Sequence, residues 1–225
     1  MDQHRSAVPK AAPQQRADPG KPSQPAHRFP LFLPPSPVFT GGRTGGPALD
    51  DALWVFGYGS LIWNPEFPVA ERRLARATGW HRSFCMRSIH HRGSETAPGL
   101  VLALDRAPKA ACDGVAFRVA PGEEAATLAA LRERELISSA YLEEWLDLDT
   151  ATGPLRALAY VIDPVHVQYC GGLPLEEQAE IIAHAHGGRG PNRDYLWATA
   201  AHLAELGIAD PDLEWLSARV RALVG

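Results

Sequence analysis

Short apolar runs with glycine or polar breaks organise the middle of this chain, and helical periodicity takes over toward its end. LWVFGYG (53–59) predicts a strand running into a glycine turn, and GWHRSFCMRS (79–88) contains a second strand. LVLAL (100–104) and GVAFRV (114–119) predict two more, separated by a loop. YLEEWLDLD (141–149) and LRALAYVI (155–162) predict a further pair joined at Thr-Gly-Pro. Helices are predicted over 122–137, 175–186 and 192–206, the third with Asn192 as cap, Gly207 as stop and Tyr195, Thr199, Leu203 and Leu206 on one face. A last helix opens with Asp210 as cap and Pro211 in first position, with Leu213, Leu216, Val220 and Leu223 as its apolar stripe. Strands first and helices later imply an α+β fold, a curled sheet or small mixed β-barrel with helices packed outside.

The first 50 residues read differently. Ten of the twenty prolines fall there, among Gln, Ser, Gly and Ala. That composition buries too little apolar surface to offset chain entropy, so residues 1–50 are expected to be a disordered or extended N-terminal extension and residues 51–225 the folded domain. The extension has a net charge of +3, leaving −7 for the rest of a chain whose total is −4. An acidic folded part is a poor match for nucleic acid. No apolar run approaches the roughly 18–20 residues that would span a bilayer, and no signal-peptide stretch opens the chain, so no membrane partner and a cytoplasmic location are expected. Three widely spaced cysteines without a CxxC suggest reduced, structural thiols. Adjacent His90 and His91, which on a strand would face opposite ways, and His184 and His186, two apart on the expected helix, lack the spacing of a metal site.

Two features carry candidate chemistry. In VFGYGSLI (55–62) an apolar strand ends with glycine at alternate positions, and successive N–H groups in such a turn can cradle a carboxylate or an oxyanion. A plain strand-to-loop turn has the same pattern. Glu135 lies four residues after Leu131 and seven after Leu128, on what would be the inward face of the 122–137 helix. Burial there would raise its pKa toward the range useful for proton transfer. A helix-end glutamate paired with an arginine fits the spacing equally well. Ser60 lacks a G-x-S-x-G setting, and there is neither a Walker loop nor a GxGxxG opening a helix.

VFGYGSLIWNP (55–65), GWHRSF followed by HHRG (79–93), RELISSAY (134–141) and the spaced Gly188, Gly190, Asn192, Tyr195 and Leu196 occur in that order. Together they resemble the ChaC-like, glutathione-specific γ-glutamylcyclotransferases over roughly residues 53–215. The resemblance implies a small mixed β-barrel with packed helices and an enzyme that cleaves glutathione to 5-oxoproline and Cys-Gly without a cofactor or metal. It implies that Gly57, Tyr58, Gly59, Ser60, Leu61 and Ile62 hold the γ-glutamyl group and that Glu135 is the catalytic acid/base. Sister enzymes acting on γ-glutamyl amino acids or γ-glutamylamines, and a non-catalytic binding protein on the same fold, are the alternatives. The main departure is Ser138-Ser139-Ala140, where relatives often have glycine before the tyrosine.

Overall fold

A computed structural model describes residues 52–136 and 138–225. The expected extension, residues 1–50, lies outside the described residues.

The described residues open with strand β1 (Trp54–Gly57), whose glycine-rich end enters a single 3-10 turn, Ser60–Ile62. Strands β2 (Val69–Ser88) and β3 (Gly99–Val119) follow as a long antiparallel pair. Helix α1 (Glu124–Glu135) leads into β4 (Tyr141–Thr150) and β5 (Leu155–Ile162), a hairpin closed at Gly153. The five strands close in the order β1-β3-β2-β4-β5, with β1 parallel to β5 through Val55 and Leu158. This is the expected α+β barrel. Helix α2 (Leu175–His184), a two-stranded ribbon of β6 (His186–Gly187) and β7 (Gly190–Pro191), α3 (Asn192–Glu205) and α4 (Pro211–Val224) complete it.

Alternation along the strands sorts the core. Trp54, Phe56, Ala75, Ala77, Ala116, Leu146, Leu148, Ala157 and Ala159 form one buried cluster drawn from all five strands, which makes it the barrel interior. Alanines beside a few large side chains suit so narrow a barrel. The intervening positions face outward under helices. Val55, Leu158 and Val119 pack with Leu131 of α1, while Phe84, Leu100, Val115 and Phe117 pack with Ile182, Leu196, Leu203, Leu213, Leu216 and Val220.

Several local expectations are corrected. The sequence predicts a strand only from residue 79, yet β2 begins at Val69. Its charged first half is a barrel strand with one face in solvent, and Arg72 and Arg73 lie over the rings of Phe117 and Trp54. The two strands expected at 100–104 and 114–119 are one, β3. The polar stretch between them bulges, with residues 107–110 opposite Gly79 alone, and this is where Pro108 is tolerated. His90 and His91 lie in the bend after β2, and His186 lies in the ribbon rather than on a helix.

Asn192 does not cap α3. Its fully buried amide donates to the Leu100 carbonyl at 2.7 Å and accepts from the Leu100 N–H at 2.6 Å, standing in for a neighbouring strand on the edge of β3. Asp210 does cap α4, accepting from the Leu213 N–H at 3.0 Å. Ser139, in the segment where relatives often carry glycine, adopts φ 55°, the left-handed region that glycine occupies without penalty.

Candidate active site

A cavity of about 380 Å³ opens where the glycine turn, the end of α1, the start of β4 and the β2–β3 bend converge. Tyr58, Gly59, Ser60 and Leu61 line it, as does Glu135. Gly57 and Ile62 are not among its lining residues. Both are buried behind the turn, and the Ile62 N–H is already bonded to the Gly59 carbonyl at 2.9 Å. A Cβ at Gly57 would stand 2.8 Å from the Phe117 ring, whereas one at Gly59 would face the cavity, 3.5 Å from the Tyr195 hydroxyl. The first glycine lets the strand pack; the second keeps the pocket open.

The turn is anchored from the opposite side of the molecule. Buried Arg82 donates to the Tyr58 carbonyl at 2.9 Å and to the Asp113 carbonyl at 2.9 Å. Its remaining N–H groups meet the Asp210 carboxylate at 2.7 and 2.9 Å. The Tyr58 hydroxyl donates to the Tyr160 carbonyl at 2.7 Å, tying the turn to β5.

Glu135 is the last residue of α1, and its side chain is 18% exposed. The carboxylate lines the cavity, and it also has an arginine beside it. Arg134 Nε lies 3.0 Å from Glu135 Oε1. Burial raises the Glu135 pKa above the ordinary carboxylate range, Arg134 and Arg189 pull it down, and Glu66 pushes it up. The negative end of the helix dipole acts in the raising direction as well.

Arg134 lies off the Leu128/Leu131 stripe of α1 and is not among the sequence-predicted site residues. The structure gives it a wall of the cavity, where it donates to Ser60 Oγ at 3.0 Å and to the Asn64 carbonyl at 2.9 Å, linking the acid to the glycine turn. Its adjacency to Glu135 was the only available signal. Tyr141 and Tyr195 also line the cavity, and the Tyr141 hydroxyl serves the open edge of β3, donating to the Leu102 carbonyl at 3.0 Å. Burial is the main cause holding the phenols neutral, Tyr195 at about 12 and Tyr58 and Tyr141 well above their ordinary value. The acid thus faces neutral hydroxyls. Among the described residues no group of three or more His, Cys, Asp or Glu side chains converges as a metal site.

A profile of ChaC-like proteins matches residues 53–223, the barrel and all four helices. The chain belongs to the ChaC-like family. Its relatives include the glutathione-specific gamma-glutamylcyclotransferase of Escherichia coli, 36% identical over 173 residues that cover 76% of this chain and 74% of that one. Human glutathione-specific gamma-glutamylcyclotransferase 1 is 34% identical over 197 residues, covering 86% of this chain and 87% of its own. The crystal structure of the yeast gamma-glutamylcyclotransferase specific to glutathione superposes with a TM-score of 0.69 at 23% identity, over 78% of this chain and all of that one, so the fold is shared.

Placing the turn beside the ChaC-like acid leads to a steric prediction. Gly59→Val directs two methyl groups into the cavity while its Cβ makes only ordinary contacts, so the variant should melt like the wild type yet lose roughly 10²-fold in turnover per unit substrate. Gly57→Val, by contrast, should lower the melting temperature through its clash with Phe117. A Gly59→Val enzyme with unchanged kcat and KM would remove the turn from the binding site.

Proposed function

We propose that this protein is a glutathione-specific γ-glutamylcyclotransferase in which Glu135 moves the protons. The observation that carries the reading is a carboxylate with a raised pKa lining the same cavity as the glycine turn, in a chain of the ChaC-like family.

The reaction is an internal displacement. The α-amine of the γ-glutamyl group attacks its own side-chain amide carbonyl, a new C–N bond closes the five-membered ring of 5-oxoproline, and the amide C–N bond breaks to release Cys-Gly. Ionised Glu135 takes a proton from the α-ammonium so that the nitrogen lone pair is free, and protonated Glu135 returns it to the departing amine. A pKa raised by burial makes one carboxyl competent in both steps. N–H groups of the Tyr58–Leu61 turn and the Tyr195 hydroxyl provide hydrogen bonds for the α-carboxylate and for the oxygen that gains charge, the Tyr58 and Tyr141 protons being committed to the Tyr160 and Leu102 carbonyls. Folding the γ-glutamyl chain so that its ends meet supplies the proximity term.

The test is direct. The full-length protein incubated with glutathione should release 5-oxoproline and Cys-Gly in equal amounts, and γ-Glu-Ala at the same concentration should react far more slowly. Equal or faster turnover of γ-Glu-Ala would assign the chain to a sister specificity, and no release from either would refute the activity.

A further inference from the structure

The β6–β7 ribbon turns at Gly188-Arg189, and that turn is locked against the bend after β2. The Gly188 N–H donates to the His90 carbonyl at 2.8 Å and the Arg189 N–H to the His91 carbonyl at 2.9 Å. Arg92 Nη1 donates to the Arg189 carbonyl at 2.7 Å. The Arg189 backbone is therefore fixed at both its polar groups. Its guanidinium is not: it makes no hydrogen bond or ion pair with any described residue, and it lines the cavity.

Its near neighbours on the wall are basic side chains. His90, His91 and Arg92 line the same wall. Burial lowers the pKa of His91, and the charge of Arg189 is the next cause, followed by His90 and Arg92. Arg92 is occupied, through its bonds to the Arg189 and Pro191 carbonyls and its stacking over the Tyr195 ring at 5.5 Å. Arg189 is thus a cation with no hydrogen-bonded partner beside a second guanidinium, an arrangement that gains when an anion enters.

Glutathione carries two carboxylates. The one beside the α-amine must sit with the reacting centre, near the glycine turn and Glu135. The other ends the Cys-Gly portion, two residues from the amide that breaks, which is about 7 Å of extended chain. Arg189 is close enough for its charge to act on the Glu135 carboxyl, yet it comes from a separate element. We propose that Arg189 is the specificity-determining residue that pairs with the glycyl carboxylate of glutathione, and that this pairing separates the tripeptide from γ-glutamylamines, which lack that group. The inference rests on the glutathione reading above.

Glutathione and its glycyl monoethyl ester, which removes this charge and leaves the reacting groups intact, are compared as substrates for the wild type and for Arg189→Ala, Arg189→Lys and Arg189→Glu. The wild type should favour glutathione in kcat/KM by roughly 10–100-fold, the range of a charge-assisted pair, and chiefly through KM. Arg189→Ala should bring that ratio close to one by raising KM for glutathione. Arg189→Lys should restore part of the preference, and Arg189→Glu should invert it. A residue that merely holds the ribbon in shape would depress both substrates together and leave their ratio intact. A wild type that treats the two alike, or an Arg189→Ala enzyme that keeps the full preference, overturns the assignment while leaving the cyclotransferase reading in place. Release of 5-oxoproline from neither substrate would refute the cyclotransferase reading, and the Arg189 assignment with it.

Discussion

Glu135→Gln should lower kcat for 5-oxoproline release by roughly 10²–10⁴, the range for loss of a general acid/base. Glutamine keeps the shape and the hydrogen-bonding oxygen but cannot accept the α-ammonium proton near neutral pH. KM should move little, because the glycine turn is untouched. The pH profile gives a second reading. Ionised Glu135 is the form that takes the proton, so the wild-type rate should rise as pH passes through its raised pKa, and that limb should vanish in the variant. Stability carries the opposite sign. A folded-state pKa above the unfolded value means the proton is held more tightly in the native protein. The resulting stabilisation is fully present below the unfolded carboxyl pKa and is lost as pH rises through the folded one. The buried charge that the substitution removes is not unpaired, since Arg134 stands 3.0 Å away. Lost pairing and relieved burial therefore offset, and the melting temperature at neutral pH should shift by less than about 4 °C. Exposed Glu133 is the control, and Glu133→Gln should be nearly silent. Near-normal turnover by Glu135→Gln would refute the mechanism.

Arg82→Ala should have the largest effect on stability. The side chain is 3% exposed and its Asp210 partner 14% exposed, so removing the arginine strands a largely buried carboxylate together with the Tyr58 and Asp113 carbonyls. Breaking such a pair from one side costs about 3–5 kcal/mol, or roughly 6–20 °C of melting temperature in a chain of this size. Catalysis should suffer separately at temperatures where the variant is folded, because the Tyr58 carbonyl that orients the turn loses its donor. Asp210→Asn, which keeps a capping oxygen for Leu213 but discards the charge, should fall between wild type and Arg82→Ala. Thermal melts and KM measured on the three proteins decide the matter, and an Arg82→Ala protein that melts within 2 °C of wild type, roughly the resolution of such a comparison, would show that the pair contributes little.

Legibility in the sequence followed the period of the pattern. β1, β4 and β5 were visible because their apolar runs are short, dense and bounded by turn residues. α4 was visible through both its cap and its stripe. The first half of β2 was missed because Glu71, Arg72 and Arg73 read as a solvated loop, when a barrel strand with one face in water can carry just such residues. The middle of β3 was missed because Pro108 and Lys109 resemble a break, and only pairing with β2 shows that the break is a bulge. At the site, Glu135 was legible as an acid on an apolar face. Arg134 was not, since helical geometry fixes the direction of a Cβ and says little about where a long guanidinium ends. Asn192 misled for a related reason: a residue type that caps helices is equally suited to completing a strand edge, and the choice depends on a neighbour 92 residues away.

The Arg82–Asp210 pair also sets a timetable. The glycine turn lies at the start of the described chain, but the carboxylate that fixes its anchor arrives 128 residues after Arg82. At roughly 5–20 residues per second, a growing chain carries the turn, Arg82 and later Glu135 for about 6–26 s before Asp210 exists. Throughout that interval the Arg82 guanidinium has no acid to hold it, and the turn cannot settle against its final support. A nascent chain therefore completes its barrel sequence before the anchor of its glycine turn can form.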